Sequence, residues 1–392
     1  MISPAKQVMF LFNHDAAHQA AHTAGIMGEL AASKPQLDVV AATGNPAIER
    51  QIRDLIPASQ AQAVRWLDLS LPRLWDQLLA LPNKIAPVIR LARLHRNIDA
   101  FSKADIIVSP ERTCLRVKRR LVRNYGSKAT RFAYVPHGSG DRNVAYNPEL
   151  VQFDYYLLSG QKLIDEMVAH GLATAEDCHL IGYAKFDVAG DTPKAKLFDN
   201  DRPTIVYNPH FDPKLSSWFD HGPEFLRWVA GQSDRFNCVF APHVMLFRKK
   251  LHISPEYKIS RNRPEIPAAA YAAENILIDT DSPRLFDMTY TNSADIYVGD
   301  VSSQIYEFLK QARPAYFIDA AEQGQDAYQF WQNGPVVKDI PQLEHVLINH
   351  AEVGKTYRTT QERLFDYTIN IDPERSAAQR GADVLAGLVN GE

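Results

Sequence analysis

The sequence predicts an α/β protein made of two doubly wound parallel-sheet domains facing each other across a cleft. Three observations lead there. Short apolar runs alternate with longer helical patterns from one end to the other, as in parallel sheets covered on both faces. The length of 392 residues exceeds what one ordinary core organises, so two domains are expected. Residues 191–203, rich in Asp, Pro and Lys, lack apolar period and divide the chain into halves of similar size.

Taken in order, strands are expected at 8–12, 37–41, 106–109, 131–135 and 155–158, then at 204–207, 237–241, 276–279, 296–298 and 315–318. Helical patterns fall at 16–33, 71–101, 161–170, 223–231, 303–311 and 340–349. The expected organisation is an N-terminal acceptor-side domain over 1–190, a linker over 191–203 and a nucleotide-binding domain over 204–370. A terminal helix within 371–392 is expected to pack back on the first domain.

Composition is that of a folded globular chain, with 45% hydrophobic and 23% charged residues, so long disorder is not expected. No apolar run approaches the ~20 residues that cross a bilayer. Met1 to Phe12 carries one lysine and no small-residue cleavage site, so a cytoplasmic location is expected. Cys114, Cys178 and Cys238 are too widely spaced for a disulfide framework or a zinc site. The net charge of -3 conceals a basic stretch. Arg112, Arg116, Lys118, Arg119, Arg120, Arg123, Lys128 and Arg131 alternate with Leu115, Val117, Leu121 and Val122. Residues 84–96 have the same character. Both stretches are either solvated helix faces or contacts to an anionic membrane surface or polymer. Arg116, Arg119, Arg120 and Arg123 are the residues expected to make that contact, at the inner face of the cytoplasmic membrane.

Residues 295–309 carry the strongest chemical signal. Ile296 to Val298 read as a buried strand, Gly299 and Asp300 as the turn, and Ser302 and Ser303 as the start of a helix. A helix start offers free N–H groups and the positive end of the macrodipole, which suits a phosphate or pyrophosphate. Glu307, about one turn on, is within reach of a ribose hydroxyl. The same residues also read as an ordinary cap, since Asp and Ser are common N-cap residues.

Three histidines follow predicted strands. His137 with Gly138, Ser139 and Gly140 follows 131–135, and its near-neutral pKa and the room left by glycine suit a general base. His210 follows Asn208 and Pro209, and His243 follows Pro242. Metal-ligand spacing is absent around them, so imidazole donors to phosphate oxygens are expected, and no metal or other cofactor. Asn13, His14 and Arg142 are assigned to the acceptor side. His14, His18 and His22 share one helical face, but no HExxH accompanies them.

Two doubly wound halves describe GT-B transferases, and the motifs resemble one family of them. His137-Gly138, Pro242-His243 and Asp300-Val301-Ser302-Ser303, with Tyr207-Asn208-Pro209, Ala315–Ile318 and the terminal Ser376-Ala377-Ala378-Gln379-Arg380, resemble the CDP-glycerol glycerophosphotransferases that build teichoic acids and capsule polymers. The likeness covers mainly residues 130–390. It departs where Ser139-Gly140-Asp141-Arg142 replaces a Thr-Pro type turn, where Pro136 replaces an aromatic, and where His210-Phe211-Asp212 replaces Thr-Tyr-Arg. Glycan polymerases using other cytidine nucleotides and sugar-nucleotide epimerases share the strand-Ser-Ser-helix arrangement.

The resemblance implies a metal-independent transferase that moves glycerol phosphate from a CDP-linked donor to a hydroxyl of a lipid-linked or polymeric acceptor. His137 would act as base and His243 on the phosphoryl group. Asp300, Ser302, Ser303, Glu307, Asn208, His210 and Gly138 would surround the nucleotide and its phosphates. A nucleotide-sugar glycosyltransferase and a non-catalytic polyanion-binding protein are the alternatives. No nucleic acid partner is expected, and the oligomeric state is not legible.

Overall fold

The computed structural model describes residues 5–13, 17–83, 87–126, 130–138, 141, 143–190 and 192–391, with backbone only for residues 17, 18, 143 and 144. The chain forms two compact units. One comprises Met1–Asp191 with Tyr367–Glu392, the other Thr192–Asp366.

The first unit is built on a seven-stranded parallel sheet. Its strands are β1 (Gln7–Phe12), β2 (Asp38–Thr43), β3 (Arg65–Asp68), β4 (Ile106–Ser109), β5 (Arg131–Tyr134), β6 (Tyr155–Leu158) and β7 (Cys178–Leu180). Their order is β3-β2-β1-β4-β5-β6-β7. Central strands are near-continuous apolar runs because helices cover both faces: Val8, Phe10 and Phe12 enter one core and Met9 and Leu11 the other. The edge strands β3 and β7 were not expected, since neither has an apolar run. Arg65 fastens β3 by a two-point ion pair to Asp38, at 2.6 and 3.0 Å.

The chain returns to this unit at its end. The Ala377–Asn390 helix, opened by a Ser376–Gln379 capping box, lays Ala382, Leu385 and Ala386 into the core shared with the Ala17–Ser33 helix. The Cβ position of Gly381 lies 3.1 Å from Ile26, so small residues set this close approach.

The second unit holds β8 (Thr204–Asn208), β9 (Asn237–Phe240), β12 (Ile276–Ile278), β13 (Ile296–Gly299), β14 (Ala315–Ile318) and β15 (Val336–Val337) in the parallel order β12-β9-β8-β13-β14-β15. A separate antiparallel hairpin, β10 (Leu251–Ser254) with β11 (Ile259–Asn262), was also not expected, since its alternation is short and half polar. The segment read as a linker belongs to this unit from Thr192 onward. Thr192 donates to the Asp287 carbonyl and the Ala195 N–H to Ser293 Oγ.

Two helical expectations change. Among the described residues the 71–101 pattern divides into Arg73–Asn83, which contains Pro82 near its end, Val88–Arg96, which starts after Pro87, and Ile98–Phe101, which starts after Asn97. The helix expected over 303–311 shortens to Ile305–Phe308. The Arg313 guanidinium caps it by donating to the Phe308 carbonyl.

Candidate functional site

In the second unit the connections diverge at the carboxyl ends of β8 and β13, the place where open α/β sheets bind ligands. Asp300 joins the two loops there. It is fully buried, and its carboxylate accepts the N–H of His210 at 2.9 Å, the N–H and hydroxyl of Ser217 at 2.7 and 2.8 Å, and the N–H of Val301 at 2.6 Å. Burial pushes its pKa up to about 6 against the pull of these bonds. Asp300 was read as a phosphate contact. Its oxygens are instead occupied by the protein, and it acts as an internal anchor.

Asn208 has a similar fate. Its amide donates to the Ala241 carbonyl at 2.7 Å and accepts from the Tyr297 hydroxyl at 3.3 Å, binding the ends of β8, β9 and β13 together. Local sequence gives no sign of Ser217, since its partner lies 83 residues further along.

His210 and His243 meet, with ring centroids 5.3 Å apart and Phe211 against both, at 4.4 and 4.7 Å. His210 Nδ1 accepts the Asp212 N–H at 3.1 Å, and His243 Nδ1 accepts the Met245 N–H at 3.2 Å. An Nδ1 that accepts leaves the proton of the neutral ring on Nε2, so both rings are set as Nε2–H donors. Ser302 is buried, Ser303 exposed, and Glu307 buried within the short helix. A four-residue helix has little macrodipole, so the expected electrostatic contribution of the helix start is not available here. What the second unit brings together is a histidine pair and Ser302 on loops held by Asp300.

In the first unit the corresponding divergence lies between β1 and β4. Asn13, buried, donates to the Arg90 carbonyl at 3.0 Å and receives the Arg90 guanidinium on its own carbonyl at 2.8 Å. Its side-chain oxygen has no hydrogen-bond partner among the described residues. Arg90 also pairs with Glu111, so one guanidinium ties together the loops after β1 and β4. His14 and Arg142 lie outside the described residues.

His137, exposed beyond β5 and followed by Gly138, has its Nδ1 3.0 Å from the Pro110 carbonyl. A carbonyl only accepts, so Nδ1 carries the proton and Nε2 of the neutral ring is a basic lone pair. This is the opposite tautomer to that of His210 and His243. The buried His22 ring lies 6.3 Å from His137 and 5.2 Å from Tyr183. Sequence reading missed Lys162, which sits in the first turn of the Gln161–Ala169 helix after β6. It forms an ion pair with Asp141 whose two side chains are 1% and 4% exposed. One turn on, burial and then the Asp141 charge push Glu166 up to about 8.

The basic stretch is partly engaged. Lys118 binds Asp154 and the Gln152 carbonyl, Arg131 binds Tyr155 and the Leu388 carbonyl, and Arg112 and Arg119 share Glu149. Arg116, Arg119, Arg120, Arg123 and Asn124 of the Leu115–Tyr125 helix also line a cavity of about 430 Å³ with His95. Burial, followed by the charges of Arg120 and Arg116, holds the His95 pKa below its usual value. Among the described residues of 84–96, Leu94 is buried and Arg90 pairs with Glu111, while His95 and Arg96 are exposed.

Neither a family model nor a curated protein sequence matches this chain. Solved structures match in fold. A variant of the wall teichoic acid polymerase TagF soaked with CDPG gives a TM-score of 0.64 at 15% identity, over 100% of this chain and 90% of that one. A putative UDP-N-acetylglucosamine 2-epimerase from Listeria monocytogenes gives 0.61 at 12%, over 99% and 97%. The S. aureus MnaA–UDP co-structure gives 0.60 at 12%, over 98% and 96%. This chain therefore has the GT-B architecture of paired doubly wound α/β units, and it is similar in fold to TagF.

Proposed function

We propose that the chain is a transferase that moves glycerol phosphate, or a closely related group, from a CDP-linked donor to a hydroxyl of a lipid-linked or polymeric acceptor. The acceptor oxygen attacks the phosphorus that bears the glycerol, and the bond to the bridging oxygen breaks. CMP leaves with that oxygen, and the acceptor proton passes to His137 Nε2. His243 and His210 donate their Nε2–H groups to the phosphate oxygens as charge shifts to the leaving group. Phosphoryl transfer depends on position and fixed charge complementarity, so preset donors suit it.

The observation that carries this reading is the opposed tautomers. One histidine is set as a base by a carbonyl, and two are set as donors by backbone N–H groups. The TagF match, whose protein was soaked with CDPG, favours the CDP-linked donor. The UDP-bound MnaA match keeps a second reading in play, chemistry on a nucleotide sugar.

Incubation with CDP-glycerol or with UDP-sugars, in the presence of hydroxyl acceptors, separates the two. CMP release that depends on CDP-glycerol supports the proposal. UDP release or sugar epimerisation replaces it. A thermal-shift screen that finds no nucleotide bound removes both.

A further inference from the structure

We propose that a proton held by Glu166 seats the chain that follows His137 on the Gln161–Ala169 helix, which makes Glu166 a positioning residue. This role rests on His137 being the base of the proposed transfer. Lys162, Glu166 and His170 stand at i, i+4 and i+8, on one side of that helix and its cap. The segment after β5 meets this row at both ends. Asp141 forms its buried ion pair with Lys162. The Tyr146 ring stacks on His170, with centroids 4.6 Å apart and planes 11° apart. Glu166 stands between these two fastenings. Its Oε2 is buried and makes no hydrogen bond among the described residues, and the Tyr146 hydroxyl is buried in the same condition. Asp141 and Tyr146 follow His137 closely in the chain, so this seat and the Pro110 carbonyl together fix the base.

A buried carboxylate oxygen without a partner is costly when charged, and the Asp141 charge adds to that cost. A proton on Glu166 removes both penalties. The groups around it offer no alternative. On its own helix, Lys162 is paired with Asp141, and Asp165 accepts the Tyr367 hydroxyl at 2.7 Å and the Gln161 amide at 2.8 Å. Asp141 and Tyr146 come from the segment after β5, and Tyr367 from the returning end of the chain. Beneath the helix, β6 and β7 bring Tyr156 and Cys178 into the core that holds Leu163 and Met167. Among the described residues no cation is paired with Glu166. When the segment lifts, Glu166 meets water and returns from about 8 to its ordinary 4.5, so lifting releases a proton at neutral pH. The seat is therefore firmest below about 4.5, weakens as pH rises towards 8, and is level above 8. One proton released per opening makes opening about tenfold more favourable for each pH unit in that window.

The test is amide hydrogen exchange of the full chain, read by mass spectrometry on the peptide 136–150 and corrected for intrinsic rates. It compares the wild type with Glu166→Gln, which keeps the side-chain shape and cannot ionise, from about pH 5.5 to 9. Protection of the wild type relative to the variant is expected to fall about tenfold per pH unit up to about pH 8, then level. The ratio cancels every group that titrates in both proteins. Glu166→Met, equally unable to ionise, gives the same comparison if the glutamine variant melts early. CMP release from CDP-glycerol over the same range supplies the functional reading. Wild-type kcat relative to that of Glu166→Gln is expected to fall towards pH 8, with the donor KM ratio unchanged. A protection ratio that does not vary with pH overturns the proposal. A sloping protection ratio with a flat kcat ratio overturns the positioning role. A sloping protection ratio in a protein that releases nothing from any donor supports the seat and removes the transfer reading instead.

Discussion

The carboxylate of Asp300 accepts the backbone N–H of His210 on both its oxygens, at 2.9 and 3.2 Å. The anchor that shapes the histidine loop is thus a buried charge 90 residues away. Asp300→Asn places an amide NH₂ among donors from His210, Ser217 and Val301, and is expected to cost about 3 kcal/mol, the range of a lost charge-assisted bond plus an unsatisfied group. The pH dependence has a defined sign. The folded value is about 6 against 3.8 for the ordinary side chain, so the folded state holds this proton more tightly between the two. The contribution of Asp300 to stability therefore falls as pH rises from about 4 to 6, and is level above 6. Urea unfolding at pH 4.5, 5.5 and 6.5 should show that slope in the wild type and its loss in the variant.

His137→Asn keeps an N–H for the Pro110 carbonyl and removes the base. Turnover is expected to fall about 10²–10⁴-fold, the usual contribution of a general base, with donor affinity unchanged within about threefold. Steady-state kinetics paired with calorimetric titration of the donor checks both halves. Near-normal turnover would remove His137 from the chemistry.

Much of this was legible in the sequence, and the residues show why. Buried parallel strands are apolar runs, so 106–109, 155–158 and 315–318 match the observed Ile106–Ser109, Tyr155–Leu158 and Ala315–Ile318. Edge strands such as β3 have no such signal, because their register is fixed by a distant partner, here Asp38 for Arg65. The Asp300 motif was visible, but not its direction. A carboxylate in a loop between strand and helix looks the same whether it faces a ligand or a serine 83 residues before it. Likewise, only coordinates show which imidazole nitrogen meets a carbonyl and which meets an N–H.

His243→Phe preserves the ring contacts with His210 and Phe211 and deletes the Nε2–H donor. Losing one hydrogen bond to a charged phosphate costs about 2 kcal/mol, so donor affinity is expected to drop about 30-fold. Isothermal titration of the donor reads this directly. Unchanged affinity with reduced turnover would instead place the donor's contribution in the transition state.

Gly160→Ala tests how the chain's end is held. A Cβ there would stand 2.2 Å from the Thr368 carbonyl oxygen and 2.6 Å from that of Tyr367. Both are backbone, and the Asn370 N–H to Ser159 carbonyl bond at 2.8 Å fixes the strap in place. The variant is expected to lose about 1–3 kcal/mol, as overpacked sites do. Its loss should localise, with faster amide exchange in the Ala377–Asn390 helix.

The Lys162–Asp141 pair provides the sharpest test of buried charge in the first unit. Lys162 lies in a first helical turn, where the helix dipole disfavours a cation, and both side chains are almost fully buried. Lys162→Met removes an ion-pair partner from the buried Asp141 carboxylate and is expected to cost about 3–5 kcal/mol. Adding Asp141→Asn removes the buried negative charge, so the double variant should recover part of that loss rather than add to it. Removing Asp141 also removes one of the two influences that push Glu166 up to about 8. Glu166 ordinarily titrates near 4.5, so its contribution to stability declines as pH rises from there towards 8. In the double variant that decline should end at a lower pH. Urea unfolding of the four proteins of the cycle, at pH 6 and pH 8.5, measures both effects. Strictly additive losses would mean that the two side chains do not act as a pair.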